Sequence, residues 1–266
     1  MIAIFTAMKG EAAPFIDYLG LKSCGDISGI KLYSNERYLL AITGMGKINA
    51  ACAVTRILTL YDDIKLAVNI GTCAGEKTGQ TYLINKITDE DSSKDYYPDM
   101  LYKAPFDEIC LHTSDSFKTD TCFEDSFGPF VYDMEGAAFF AASSSFLSPD
   151  KVILLKTVSD SGDPDIVTAD YCMKLLAVNA AFSIDFIEGI YSLLAESPYK
   201  EADILCEEYS TKLKCSEYMR NDLKQLIRFA LSCNKDIKSL IESHLPVKNK
   251  EEGKKVLADV RQKLVE

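Results

Sequence analysis

The chain has 266 residues, 47% of them hydrophobic, enough for one sizeable α/β domain with an appendage. Its formal net charge of −11 argues against broad binding to nucleic acid or to an anionic membrane surface, although a helix N-terminus can still hold a small anion locally. Nine scattered cysteines without a Cys-x-x-Cys pair, and only His112 and His244 as histidines, give poor support for a zinc site; no metal or organic cofactor is expected, and reduced thiols fit a cytoplasmic protein.

Residues 2–5 form a continuous apolar run, as a fully buried parallel strand would. The stretch lacks the basic leader and cleavage site of a signal peptide, and no apolar run reaches membrane-spanning length. Residues 7–15 turn into a helix, with Pro14 suited to a first turn and Glu11 just past the strand end. Residues 29–34 and 38–43 read as two strands joined at Asn35-Glu36. The Gly44-Met45-Gly46 turn then opens a helix at about Lys47, a place where backbone N–H groups can meet a ligand. Its spacing is neither that of a P-loop nor GxGxxG.

A helix is expected over 49–60 and a buried strand over 66–70, followed by a glycine-rich turn over 69–75. Cys73 in that turn reads as a small buried thiol. Residues 81–87 form a further strand, 88–100 an acidic surface loop able to serve as a lid, and 109–113 a short strand leading to Phe117. A strand ends at Asp133 before a helix of small residues, and another runs over 152–158 into Ser159-Asp160. Thr168 or Asp170 is positioned to cap a long helix reaching about Leu194, with Leu175, Leu176, Val178, Phe182, Phe186 and Ile190 toward the sheet. This alternation predicts a mostly parallel sheet with helices on both faces. After Ser197-Pro198 the chain becomes charged and helical, with three helices near 201–213, 216–232 and 250–265. The expected division is 1–197 and 198–266, the second part a helical appendage that packs or docks a partner.

In parallel α/β sheets ligands bind beyond the carboxyl ends of strands. Glu11, Glu135 and Asp160 each follow such an end, so the three carboxylates can face one crevice. Carboxylates in one cleft can do acid–base work on a glycosidic bond. The same residues would also serve as helix first-turn acids or caps, and Phe117 as an ordinary core aromatic.

Six motifs in order carry a resemblance over roughly residues 1–195. They are Ala-Met-x-x-Glu at 7–11, Thr-Gly-Met-Gly-Lys-Ile-Asn-Ala-Ala at 43–51, Asn-Ile-Gly-Thr-x-Ala-Gly at 69–75, Ser-Asp-Ser-Phe at 114–117, Asp-Met-Glu-Gly-Ala-Ala at 133–138 and Val-Ser-Asp at 158–160. Together they resemble the purine nucleoside phosphorylase/nucleosidase family, in particular its hydrolytic methylthioadenosine/S-adenosylhomocysteine branch. The resemblance implies a mixed, mostly parallel twisted sheet flanked by helices, a purine nucleoside as substrate, no cofactor, and a homo-oligomer, a dimer. It implies that Glu11 positions or deprotonates the attacking water. Glu135 would hold the ribose hydroxyls, with Met134 packed on the sugar. Asp160 would protonate the purine N7, oriented by Ser159, and Phe117 would stack on the base. Thr72 and the Gly44-Met45-Gly46 turn would line the end from which the nucleophile comes.

The phosphorylase relatives carry an arginine where this chain has Asn69. A phosphate dianion would have Lys9, Lys47 and backbone donors alone, a thinner clamp than guanidinium forks give. Water is therefore favoured as the nucleophile, with phosphorolysis the alternative. Lys9 departs from the acidic residues common there in the nucleosidases. The segment before Ser114 is also shorter than theirs. A non-catalytic nucleoside-binding or adaptor protein is the reading from another class.

Overall fold

The computed structural model describes residues 1–119, 122–126, 128–195 and 200–265. The chain divides into two compact units, Met1–Ser192 and Leu193–Glu266. The boundary expected at 197/198 lies outside the described residues.

In the first unit the long apolar runs become strands buried on both faces: β1 (Ile2–Thr6), β4 (Tyr38–Ile42) and β11 (Val152–Asp160) have no exposed residue. The remaining strands are β2 (Lys22–Ile27), β3 (Ile30–Ser34), β5 (Leu66–Ala74), β6 (Thr81–Asp89), β7 (Lys94–Tyr96), β8 (Asp107–Thr113), β9 (Glu124–Asp125) and β10 (Gly128–Asp133). They join in one sheet of order β2-β3-β4-β1-β5-β11-β6-β8-β10-β9, with β7 paired to β6. An additional β5–β10 pairing closes the ring β5-β11-β6-β8-β10 on itself. Strands β1, β4, β5 and β11 run one way, while β6, β8 and β10 run the other. The two sets meet near their carboxyl ends, where Tyr132 of β10 pairs with Ala74 of β5.

The sheet is mixed, as expected, but it is not mostly parallel, and that part of the expectation is corrected. The pairings β2–β3, β3–β4, β11–β6, β6–β7, β10–β9 and β10–β5 are all antiparallel. Helix-sized connections between strands suggested parallel crossovers, but within the ring β6, β8 and β10 run against β5 and β11, and hairpin pairings of β2, β3, β7 and β9 add further antiparallel edges. Strand β2 has no apolar pattern to announce it and is held by its ladder to β3. The acidic loop expected over 88–100 contains β7, folded back on β6 by the pairs Ile87–Tyr96 and Asp89–Lys94, so it is a hairpin rather than a lid. Residues 71–74, expected as a turn, continue β5 against β11.

Helices α1 (Lys9–Leu19), α2 (Lys47–Leu60), α3 (Gly136–Ser143) and α4 (Ala169–Ala195) complete the sheet's surroundings. Pro14 lies inside α1 instead of its first turn, because the helix starts at Lys9. Gly10 is needed there: a Cβ would stand 2.5 Å from the carbonyl oxygen of Ala169. Thr168 Oγ1 accepts the N–H of Tyr171 at 3.3 Å, capping α4. That helix buries Cys172, Leu176, Ala180, Ile184 and Ile187, whereas Val178 and Phe182, expected against the sheet, are exposed on its opposite face.

The second unit packs α5 (Lys200–Lys212), α6 (Glu217–Ser232), α7 (Ile237–Glu242) and α8 (Lys250–Val265) around a core that includes Tyr209, Leu213, Leu223, Ile227 and Val260. The short α7, too brief for a periodic signal, adds a fourth helix to the three expected. Gly253 lets α8 approach closely, since a Cβ would lie 2.0 Å from the carbonyl oxygen of Leu213. No helix among the described residues is long and apolar enough to cross a membrane.

Candidate active site

A cavity of about 270 Å³ opens beside the carboxyl ends of β1, β5, β10 and β11. It is lined by Glu11, Glu135 and Asp160, and also by Met45, Thr72, Phe117, Met134 and Ser159. All three carboxyl residues are buried, at 2%, 8% and 7% exposure respectively. Gly44 and Gly46 are not lining residues. Gly44 borders a separate groove along α2, and Gly46 works through a hydrogen bond described below.

Glu11 is carried by the first turn of α1. Its Oε2 accepts the N–H groups of Ala7 and Met8 at 2.9 and 3.0 Å. Its Oε1 accepts from Thr72 N at 2.7 Å and Thr72 Oγ1 at 2.9 Å. Four donors thus satisfy the hydrogen-bonding capacity of a buried carboxyl group. Gly71 makes this possible. It is not in the left-handed region, and its value lies in close approach: a Cβ would meet Glu11 Oε1 at 3.0 Å and Oε2 at 3.5 Å. Gly71→Ala is therefore expected to lower stability by about 1–3 kcal/mol through overpacking against this carboxyl group. Urea unfolding reads it, and an unchanged midpoint would show that Glu11 can move aside.

Glu135 stands at the N-cap position of α3 with no side-chain bond to that helix, and one of its oxygens accepts the N–H of Gly46 at 2.7 Å. Gly46 has φ of +94° and Gly44 of +86°, so both turn glycines occupy backbone that other residues rarely adopt. Burial, and then the nearby Asp133, push the Glu135 carboxyl up to about 7.

Asp160 ends β11 with its two oxygens in different surroundings. Oδ1 accepts from Gly162 N at 2.9 Å and Asp163 N at 3.0 Å. Oδ2 lies 2.7 Å from Ser159 Oγ, which is itself 3.1 Å from the carbonyl oxygen of Cys73. Tyr171 donates its hydroxyl to the Ser159 carbonyl at 2.7 Å, steadying that strand end. Cys73 is a small buried thiol that touches the cavity, and burial pushes its pKa up, away from a nucleophilic thiolate. Among the described residues no group of three or more His, Cys, Asp or Glu side chains is disposed to hold a metal ion.

The sequence reading missed the cation beneath the cavity. Lys156 Nζ lies 2.7 Å from Asp133 Oδ2, and both side chains are 1% exposed. Asp133 also accepts from Thr113 Oγ1 at 2.7 Å and Gly136 N at 2.8 Å. Burial favours discharging Lys156, but Asp133 and Glu135 outweigh it and the pKa is raised. A lysine within the apolar run 152–158 was the available signal, because only a partnered charge is tolerated in so buried a strand.

No protein-family model matches the sequence, and no curated protein matches it. Comparison of folds gives clear matches. The 5′-methylthioadenosine/S-adenosylhomocysteine nucleosidase of Helicobacter pylori, solved with butyl-thio-DADMe-Immucillin-A, superposes with a TM-score of 0.57 at 14% identity, covering 71% of this chain and 97% of the nucleosidase. Futalosine hydrolase of the same organism gives 0.57 at 13% identity, again over 71% and 97%. The chain has the nucleosidase fold. The Neisseria meningitidis methylthioadenosine/S-adenosylhomocysteine nucleosidase, solved with methylthio-immucillin-A, shares that fold at a TM-score of 0.55 and 19% identity, over 71% of this chain and 97% of its own. Identities this low leave the chemistry of the nucleosidase-fold cavity to be argued from its own residues.

Proposed function

We propose that this protein hydrolyses the N-glycosidic bond of a purine nucleoside, and that Met1–Ser192 carries the activity. The observation behind this reading is the convergence of Glu11, Glu135 and Asp160 on one cavity. Glycosidic cleavage passes through a ribosyl cation-like state, which buried carboxylates stabilise. The second oxygen of Glu135 would hold the ribose hydroxyls, with Met134 against the sugar and Phe117 against the base.

Asp160 would be the general acid. Two amide N–H groups favour negative charge on Oδ1, so the transferable proton belongs on Oδ2. In that state Oδ2 donates to Ser159 Oγ, whose own hydrogen points to the Cys73 carbonyl. As the proton passes to N7, Ser159 can turn its hydrogen to Oδ2 and stabilise the new carboxylate. Glu11 would be the base toward water. Three of its four donors are backbone amides that cannot turn away. The fourth, the Thr72 hydroxyl, can rotate its hydrogen aside and open one lone pair to the water.

Water is favoured over phosphate because the neighbouring cations are engaged. Lys47 is bound by Asp89, Asp91 and Asp115, Lys156 by Asp133, and Lys118 by Glu90. Lys9 is exposed and not among the cavity's lining residues. Methylthioadenosine, adenosylhomocysteine and a futalosine-type nucleoside, each incubated with and without phosphate, test the proposal. Free base is expected to appear at a rate independent of phosphate. Release that requires phosphate would make the protein a phosphorylase. A rise in melting temperature without any turnover would make it a nucleoside-binding protein.

A further inference from the structure

One wall of the cavity, on the proposed base side, is a short segment that is largely exposed. Phe117 is 59% exposed, and Ser116 and Lys118 beside it also line the cavity. The segment is fastened electrostatically to the tripeptide 89–91 at the end of β6. On one side, Asp91 Oδ2 accepts the N–H of Asp115 at 3.0 Å. On the other, Glu90 Oε2 lies 2.7 Å from Lys118 Nζ, while Glu90 Oε1 lies 3.0 Å from His112 Nδ1.

Three carboxylates, Asp89, Asp91 and Asp115, would repel one another across this joint. One ammonium offsets them. Lys47 Nζ lies 2.7 Å from Asp89, 2.7 Å from Asp91 and 3.3 Å from Asp115, with its side chain only 15% exposed. Lys47 is the first residue of α2 and follows Gly46, whose N–H donates to Glu135. The same residue therefore joins the wall of the cavity to the turn that orients the sugar-side carboxylate.

We propose that Lys47 is a positioning residue that latches the Phe117 wall in place for the purine base, through Asp89, Asp91 and Asp115. This rests on the nucleosidase reading for its substrate but not for the latch itself. Three ion pairs to one buried-stem ammonium form a network, and networks matter where single surface pairs contribute little. Without Lys47 the remaining like charges favour an outward swing of residues 115–118, and Phe117 no longer stacks on the base.

The test is Lys47→Met, with Phe117→Ala and the double variant alongside. Lys47→Met is expected to raise KM about tenfold or more, as losing an aromatic–base stack would, with kcat within about threefold of wild type. The double variant is expected to be no worse than Phe117→Ala alone, because both changes remove one interaction. Lys47→Arg should restore much of the affinity. Hydrogen exchange of amides 114–118 in the ligand-free protein reads the latch without turnover, and should speed up in Lys47→Met. Faster exchange in a protein whose wild type turns over no nucleoside would keep the latch and sink the nucleosidase reading. Unchanged exchange and KM in an active enzyme, or additive losses in the double variant, would overturn the latch. Lys47→Gln, which removes the same charge but keeps a polar side chain toward Asp89 and Asp91, gives the same readouts should Lys47→Met fail to fold.

Discussion

Asp160→Asn is expected to lower kcat by about 10²–10⁴-fold on a purine nucleoside, with KM changed little. Asparagine keeps an oxygen for the N–H groups of Gly162 and Asp163, so the strand end should hold its shape. It also keeps a donor toward Ser159 and toward N7, so ground-state binding should survive. What it lacks is a proton that can leave. The purine would then depart as an anion, and the barrier rises accordingly. A riboside with a 4-nitrophenyl leaving group needs no such proton. Its hydrolysis by Asp160→Asn should stay within about tenfold of wild type, which separates loss of general acid from loss of architecture. Equal losses on both substrates would remove Asp160 from the role of acid.

Lys156→Met is expected to have the largest effect on stability, about 3–5 kcal/mol, because it strands the Asp133 carboxylate in a buried position. Chemical denaturation measures this directly. Adding Asp133→Asn should recover part of the loss, since the uncompensated charge is then gone as well. A single variant within about 1 kcal/mol of wild type would mean that the pair is not what holds this layer together.

The same substitution should move a titration. Burial and Asp133 raise the Glu135 carboxyl to about 7, and Lys156 opposes that rise. A raised carboxyl binds its proton more tightly in the folded state than in the unfolded one. Its contribution to stability is therefore full below about pH 4.5 and is lost as pH climbs through about 7. The role proposed for Glu135 requires it ionised against the ribosyl cation, so kcat/KM is expected to fall on the acid side with an apparent pKa near 7. In Lys156→Met that acid limb should shift to higher pH. No shift, in a variant that still folds, would detach Glu135 from the observed limb.

Much of the site was readable because its carboxylates follow strand ends, and a strand end is marked by an apolar run that stops. Glu11 after residues 2–5, Glu135 two positions past the end of β10 and Asp160 as the last residue of β11 all follow this rule. The turn at Gly44–Gly46 was legible for a related reason, since two glycines beside a helix start announce unusual backbone. Gly71 was misread for want of the partner that explains it. In the chain it looks like a turn residue, yet it lies in β5, paired with Lys156 of β11, and it is glycine because Glu11 leaves little room for a side chain there. Lys156 and Lys47 look like ordinary lysines until their carboxylates arrive from elsewhere in the chain, at Asp133 and at Asp89, Asp91 and Asp115.

Local order determined most of the strands and helices, though not β2, β7 or α7, and that three acids stand at strand ends. Those features depend on hydrophobic period and on neighbours a few residues away. Only the tertiary structure decided the closed, mixed sheet, the place of Lys156 under the cavity and the tie between Lys47 and the Phe117 segment. The ring closes through Tyr132 and Ala74, 58 positions apart, and the ion pairs join residues 23 to 68 positions apart. Charge pairing of this kind is set by distance in space, to which periodicity along the chain is blind.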